Sequence, residues 1–94
     1  MKNQILGFEW HDIKNDINLK KHGVCFEEAT TVFDDNLAIY KQDYEHSFGE
    51  ERSFIIGQTS KNKLLVVSFS EREDNIRIIS ARCATKNERK FYES

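Results

Sequence analysis

From residue 37 to residue 82 the chain offers four strand-like runs in succession, at 37–41, 52–57, 64–69 and 76–82. Parallel neighbours need a crossover of roughly a dozen residues or more, whereas antiparallel neighbours can be joined by a tight turn. The connections at 58–63 and 70–75 are short, polar and rich in turn formers, so this stretch predicts antiparallel pairing. The preceding segment has a different period. Ile13 and Ile17 stack at i, i+4 in a helix expected over 13–22, with Asp12 offering an N-cap oxygen. Gly23 suits the left-handed position that ends it, and His22 complements its carbonyl end. A second helix follows, with Glu27 and Glu28 in its first turn and Phe26, Ala29, Thr30 and Phe33 as its apolar stripe. It ends at Asp34-Asp35-Asn36. Thr85-x-x-Glu88 is a capping box that opens a terminal helix. Residues 8–10 form a short strand or an extended lead-in. The expected fold is therefore α+β, ordered α-α-β-β-β-β-α, with a twisted antiparallel sheet packed on helices that share one face. At 94 residues and 38% apolar content, with no Pro and no low-complexity linker, residues 1–94 make one domain.

Charge divides this domain in two. Residues 1–51 hold 5 Lys and Arg against 11 Asp and Glu, while residues 52–94 hold 9 against 5. All five arginines, Arg52, Arg72, Arg77, Arg82 and Arg89, fall in the second half. Arginine is a permanently charged planar fork suited to phosphate, so the late strands and the terminal helix suggest an anion-binding surface. On a regular strand, however, Arg77 and Arg82 point to opposite faces, and they converge only where a bulge re-aims one of them. No apolar run approaches the ~18 residues of a membrane span, and no signal peptide is apparent. Cys25 and Cys83 lack metal-ligand spacing or a CxxC partner, and as free thiols they fit a reducing cytoplasm. Neither a nuclease metal cluster nor a Gly-rich phosphate loop is present in the sequence, so no metal or cofactor is expected.

Several motifs recur in order along nearly the whole chain. They are Phe8-Glu9-Trp10, Lys14, Asn18, Lys21-His22-Gly23, Phe26-Glu27-Glu28-Ala29 and Val32-Phe33-Asp34-Asp35, followed by Asp43, His46-Ser47, Glu51-Arg52, Ile56-Gly57, Glu71-Arg72, the run at 76–82, Ala84-Thr85, Glu88-Arg89 and Tyr92. Together they resemble the BrnT toxins. The resemblance implies a RelE-like fold and a type II toxin that cleaves RNA and arrests translation in the cytoplasm. It implies a BrnA-like antitoxin whose ribbon-helix-helix domain binds operator DNA, in a 2:2 heterotetramer expected because such domains dimerise. Two positions depart from the family pattern: His11 stands where Asp usually follows the Trp, and Cys25 where Ser usually caps the second helix. A thiol caps poorly, a loss of ~0.5–2 kcal/mol.

With RNA as substrate, the chemistry needs a base for the 2′-hydroxyl, cations for the charged phosphorane and an acid for the leaving 5′-oxygen. Arg72 and Arg82 are the expected phosphate holders, with Arg77 a third. His22, His46, Lys21 and Tyr92 are candidate proton carriers, and the sequence does not rank them. Lys21, Arg52, Arg89 and Lys90 are candidate RNA contacts. Each has a plainer reading as well. His22 can simply end its helix, Arg77 can pair with Glu71 or Asp74, and Arg89 and Lys90 can form a solvated helix face. Trp10 is best placed in the core, while Tyr44 and Phe48, beside acids in the 43–51 loop, suit contact with an antitoxin. The rival function is a non-catalytic interaction subunit of a transcriptional autorepressor complex.

Overall fold

The computed structural model describes residues 7–46 and 49–94. Its elements are β1 (Gly7–Glu9), α1 (Asp12–His22), α2 (Phe26–Thr30) running into a 3₁₀ turn (Thr31–Asp34), β2 (Ile39–Gln42), β3 (Ser53–Gln58), β4 (Leu64–Arg72), β5 (Asn75–Cys83) and α3 (Lys86–Glu93). The four expected strands pair antiparallel in chain order. Two corrections apply. Residues 7–9 form a fifth strand that pairs parallel with β5, Phe8 opposite Ile76, so the sheet is mixed and runs β1-β5-β4-β3-β2. Parallel pairing is open to β1 because residues 10–74, most of the chain, intervene between it and β5. The helices, moreover, do not share one face.

Strand alternation explains the second correction. Ile55, Leu65, Val67, Ile76, Ile78 and Ala81 form one core with Val24, Phe26, Ala29 and Val32 from the α1–α2 side. Ile56, Leu64 and Val66, which point the other way, pack with Phe54, Ala84 and Tyr92, so α3 covers part of the opposite face. That helix is too short to cover the whole face, and the remainder stays open. Its capping box forms as expected, with Thr85 and Glu88 each satisfying the other's backbone N–H.

The α2 segment buries Phe26, Ala29 and Val32, while Thr30 and Phe33 are only partly buried. A helix that tightens to three residues per turn shifts its inner stripe to a spacing of three. Val32 then lies so close to β3 that a side chain at Gly57 would meet its Cβ and carbonyl oxygen at 3.1 Å. Cys25 occupies the N-cap without a side-chain hydrogen bond. Asn15 compensates: its Oδ1 accepts from the Phe26 N–H at 2.8 Å.

Helix α1 departs most from expectation. Ile13 and Ile17 are 65% and 57% exposed, not core residues. Asp12 lies in the first turn, and His11 is the N-cap without a side-chain bond. The residue that docks this helix is Asn18, which is 6% exposed. Its amide donates to the carbonyls of Val24 and Ala81, both at 2.8 Å, and its Oδ1 accepts from the Ala81 N–H at 3.1 Å. Asn18 thus substitutes for a neighbouring strand along the part of β5 that β1 does not reach. Gly23 ends the helix at φ 72°, its N–H bonded to the Leu19 carbonyl.

Candidate active site

Strand β5 carries a bulge that decides where its arginines point. Ser68 pairs with Ser80 but Phe69 pairs with Ile78, which leaves Ile79 as the extra residue. Below the bulge Ile76 and Ile78 face the core; above it Ala81 does. Arg77 and Arg82, opposed on a regular strand, therefore both emerge on the face that α3 only partly covers.

On that face lies a cleft of about 450 Å³. Its polar lining includes Arg52, Arg82, His46, Asp43, Glu45 and Glu88. Phe54, Val66 and Ser68 line it from the sheet, and Ile79 with Ser80 forms one wall. The cleft falls within the roughly 300–1,000 Å³ of small-ligand sites, room for about one nucleotide.

Two polar pairs in it are held in place. Nδ1 of His46 lies 3.0 and 3.1 Å from the two carboxylate oxygens of Asp43, so the ring is fixed and Nε2 is left for other work. Arg82 donates through Nη1 and Nη2 to the two oxygens of Glu88 at 2.8 and 2.9 Å, and through Nη1 to the Cys83 carbonyl at 3.3 Å. Of its five N–H donors, Nε–H and one on Nη2 remain for an anion. The Arg82 bond, helped by the Thr85 backbone N–H, holds the Glu88 carboxyl down to about 2 against the opposing effect of burial. The same bond raises Arg82 above its ordinary range. Glu88 therefore joins α3 to the cleft, serving the capping box and the guanidinium together.

Arg72 and Arg77 stand apart. Arg72 donates through Nε and Nη2 to Glu50 at 3.3 and 3.1 Å, and Ser70 donates to the other oxygen of Glu50 at 3.1 Å. The carboxyl of Glu50 is pulled below its usual value, burial notwithstanding, by Ser70 and Arg72 and by the charge of Arg77. These residues make a second, smaller cationic group, outside the lining of the cleft.

The other expected residues divide in the same way. His22 and Lys21 line a separate hollow of about 190 Å³ between α1 and β5, whose wall again includes Ile79 and Ser80. Tyr92 does not line the cleft: its hydroxyl donates to Asp35 at 2.6 Å and its ring packs against Ile56, Leu64 and Val66. Arg89 reaches Glu93 at 3.9 Å one turn along α3, and Lys90 is exposed on that helix. Trp10 packs edge-on to Phe26 beside the core. Tyr44 is exposed, while Phe48 lies outside the described residues. Sequence reasoning missed Asp43 as the partner of His46, although Asp-x-x-His places two side chains within reach across one turn. It also read Glu88 as a cap alone.

A sheet flanked by helices, with guanidinium, imidazole and carboxylate groups paired in an open cleft, defines a small α+β protein with a polar surface site. Comparison supplies the family. Residues 10–88 match the model of the ribonuclease toxin BrnT of type II toxin-antitoxin systems, and the chain belongs to that family. The fold is similar to the 1.1 Å crystal structure of the Brucella abortus ribonuclease toxin BrnT, with a TM-score of 0.66. Identity is 20%, over 85% of this chain and 97% of that one. Among curated proteins no match is found. No described helix is long and apolar enough to cross a membrane.

Proposed function

We propose that this chain is a metal-independent endoribonuclease that cuts messenger RNA in the cytoplasm and so arrests translation. We further propose a RelE-like fold and control by a BrnA-like ribbon-helix-helix antitoxin, in a 2:2 complex that reaches operator DNA through the antitoxin. Membership of a type II family supports the existence of an antitoxin partner. The observation that carries the catalytic reading is the convergence of Arg52, Arg82 and the Asp43–His46 pair on one cleft.

In this reading Nε2 of His46 takes the proton of a 2′-hydroxyl. The freed oxygen attacks the adjacent phosphorus, and the bond to the 5′-oxygen breaks. A 2′,3′-cyclic phosphate and a 5′-hydroxyl result. Arg52 and the free edge of Arg82 face the developing negative charge, where one positioned donor contributes ~10²–10³ in rate. His22, beyond the Ile79–Ser80 wall, is the candidate that returns a proton to the leaving oxygen. An overall acidic chain is compatible with an RNA substrate, because residues 52–94 hold 9 Lys and Arg against 5 Asp and Glu, Arg52 and Arg82 of the cleft among them.

Purified, antitoxin-free protein incubated with end-labelled RNA tests this directly. Cleavage that persists in EDTA and leaves 2′,3′-cyclic ends is expected. A chain that leaves RNA intact but still forms a stable antitoxin complex is the interaction subunit instead.

A further inference from the structure

Helix α1 turns the wrong residues toward the sheet. At ~100° per residue, Lys14, Asn18, Lys21 and His22 fall within about 100° of helix circumference, and this stripe, with Ile17 at its edge, lines the hollow against β5. Ile13 and Ile17 stay 65% and 57% exposed, so neither is a core residue. A local rule broken without a packing gain marks a functional position. Asn18 is explained by its three bonds to backbone; Lys14 and Lys21 have no such role. Neither makes an ion pair among the described residues. Among the described residues no carboxylate lines this hollow, whereas Asp43, Glu45 and Glu88 all line the cleft. The two cavities meet at a ridge of two residues, Ile79 and Ser80, raised by the bulge of β5.

We propose that Lys14 and Lys21 form a second phosphate subsite, which holds the RNA phosphate next on the 3′ side of the bond that is cut. The polarity follows from the roles given to the cleft, and to that extent the inference rests on the function proposed above. If the nucleotide whose 2′-hydroxyl faces His46 occupies the cleft, the scissile phosphate sits at the ridge. The leaving nucleoside then crosses to the α1 side, and its own 3′-phosphate falls between the lysines. The substrate is consequently single-stranded RNA, since a duplex cannot thread one strand over so narrow a wall. An ammonium on a flexible stem suits such a subsite, because it attracts a phosphate without fixing it and releases the product readily.

The test compares three short probes made non-cleavable by 2′-O-methylation: NpN, NpNp and pNpN. Binding to the full, antitoxin-free chain is followed by NMR titration, with cleavable RNA versions assayed in parallel. The terminal 3′-phosphate of NpNp is expected to tighten binding about fivefold at low salt, and the gain should fade as salt screens it. The double variant Lys14→Gln, Lys21→Gln should lose that gain, bind NpN as the wild type does and melt at the wild-type temperature. An equal gain from pNpN, or a gain the variant retains, overturns the subsite. So does a variant that keeps the gain but no longer binds the antitoxin, which would make the hollow a protein contact. The two readings separate cleanly. A phosphate gain lost in the variant, with no cleavage of RNA by the wild type, keeps Lys14 and Lys21 as a phosphate site and removes the nuclease and with it the site's place beside a cut bond. Cleavage with no phosphate gain keeps the nuclease and removes the subsite.

Discussion

The cleft and the α1 hollow share a wall and the same sign of basic side chain, yet they are built on opposite principles. In the cleft Arg82 is clamped by Glu88 and His46 by Asp43. Across the ridge, Lys14 and Lys21 have no carboxylate partner among the described residues. A group held by an internal partner has lost its freedom before substrate arrives, which is what stabilising a transition state requires. A solvated lysine keeps its freedom and contributes attraction alone. On the function proposed above, the difference suits the clamped groups of the first region to charge stabilisation and the lysines of the second to strand binding, with His22 the one proton carrier on the hollow side.

The sharpest way to break this division is to compare arginines that have equal charge and unequal placement. Arg82→Ala should lower kcat by about 10²–10³, as removal of a positioned donor does elsewhere. Arg72→Ala, whose guanidinium is engaged by Glu50 away from the cleft lining, should cost about tenfold, mainly in KM, by weakening long-range attraction. Single-turnover cleavage of a defined RNA measures both. Equal losses would erase the distinction between clamped and remote cations, and near-wild-type activity in both variants would remove the arginines from catalysis.

How far these regions could be read from sequence depends on the range of the interactions that make them. The capping box of Thr85 and Glu88 and the Gly23 terminator are local, and both are legible. The four antiparallel strands are legible too, since short connections leave few alternatives. The parallel strand β1 pairs with residues near the other end of the chain, and no local pattern announces it. The bulge is the clearest case. Alternation shows that Arg77 and Arg82 diverge without one, but which residue is extra depends on how β4 and β5 align. The Ile13–Ile17 pair misleads because an i, i+4 apolar stripe usually faces a core. Here the inward position belongs to Asn18, whose partner Ala81 is 63 residues away. His46 is visible as a loop histidine; the Asp-x-x-His spacing allows its pairing with Asp43, but Glu45 and other loop acids compete for it in the sequence, and the turn decides.

Asn18 also gives the next experiment, because the hollow exists only while α1 is held against β5. Asn18→Leu makes α1 more apolar, and on hydrophobicity alone it should stabilise docking. It also strips partners from the Ala81 N–H and from two carbonyls in a buried place, each orphan costing roughly 1–3 kcal/mol. The expected result is a net loss of about 2–4 kcal/mol, read from urea denaturation, with the lysine-dependent phosphate gain lost before cleft activity is. Unchanged stability would mean that α1 docks by packing and that the hollow does not need this amide.

The smallest effect belongs to Tyr92, and its value lies in what should not change. Its hydroxyl donates to Asp35, whose carboxyl also accepts from the backbone N–H of Gln58 and Leu37; burial pushes that carboxyl up, but these bonds bring it below its ordinary value. The phenol is correspondingly pushed up to about 12, first by the Asp35 bond and then by burial. A phenol whose value rises on folding contributes stability that is whole below about 10, the unfolded value, and is lost as pH climbs through about 12. Tyr92→Phe should therefore cost about 1 kcal/mol at neutral pH and flatten the alkaline fall in melting temperature, with kcat left as in the wild type. A large loss of kcat would instead return Tyr92 to the proton carriers, and α3 would have to reach the cleft through more than the Glu88–Arg82 pair.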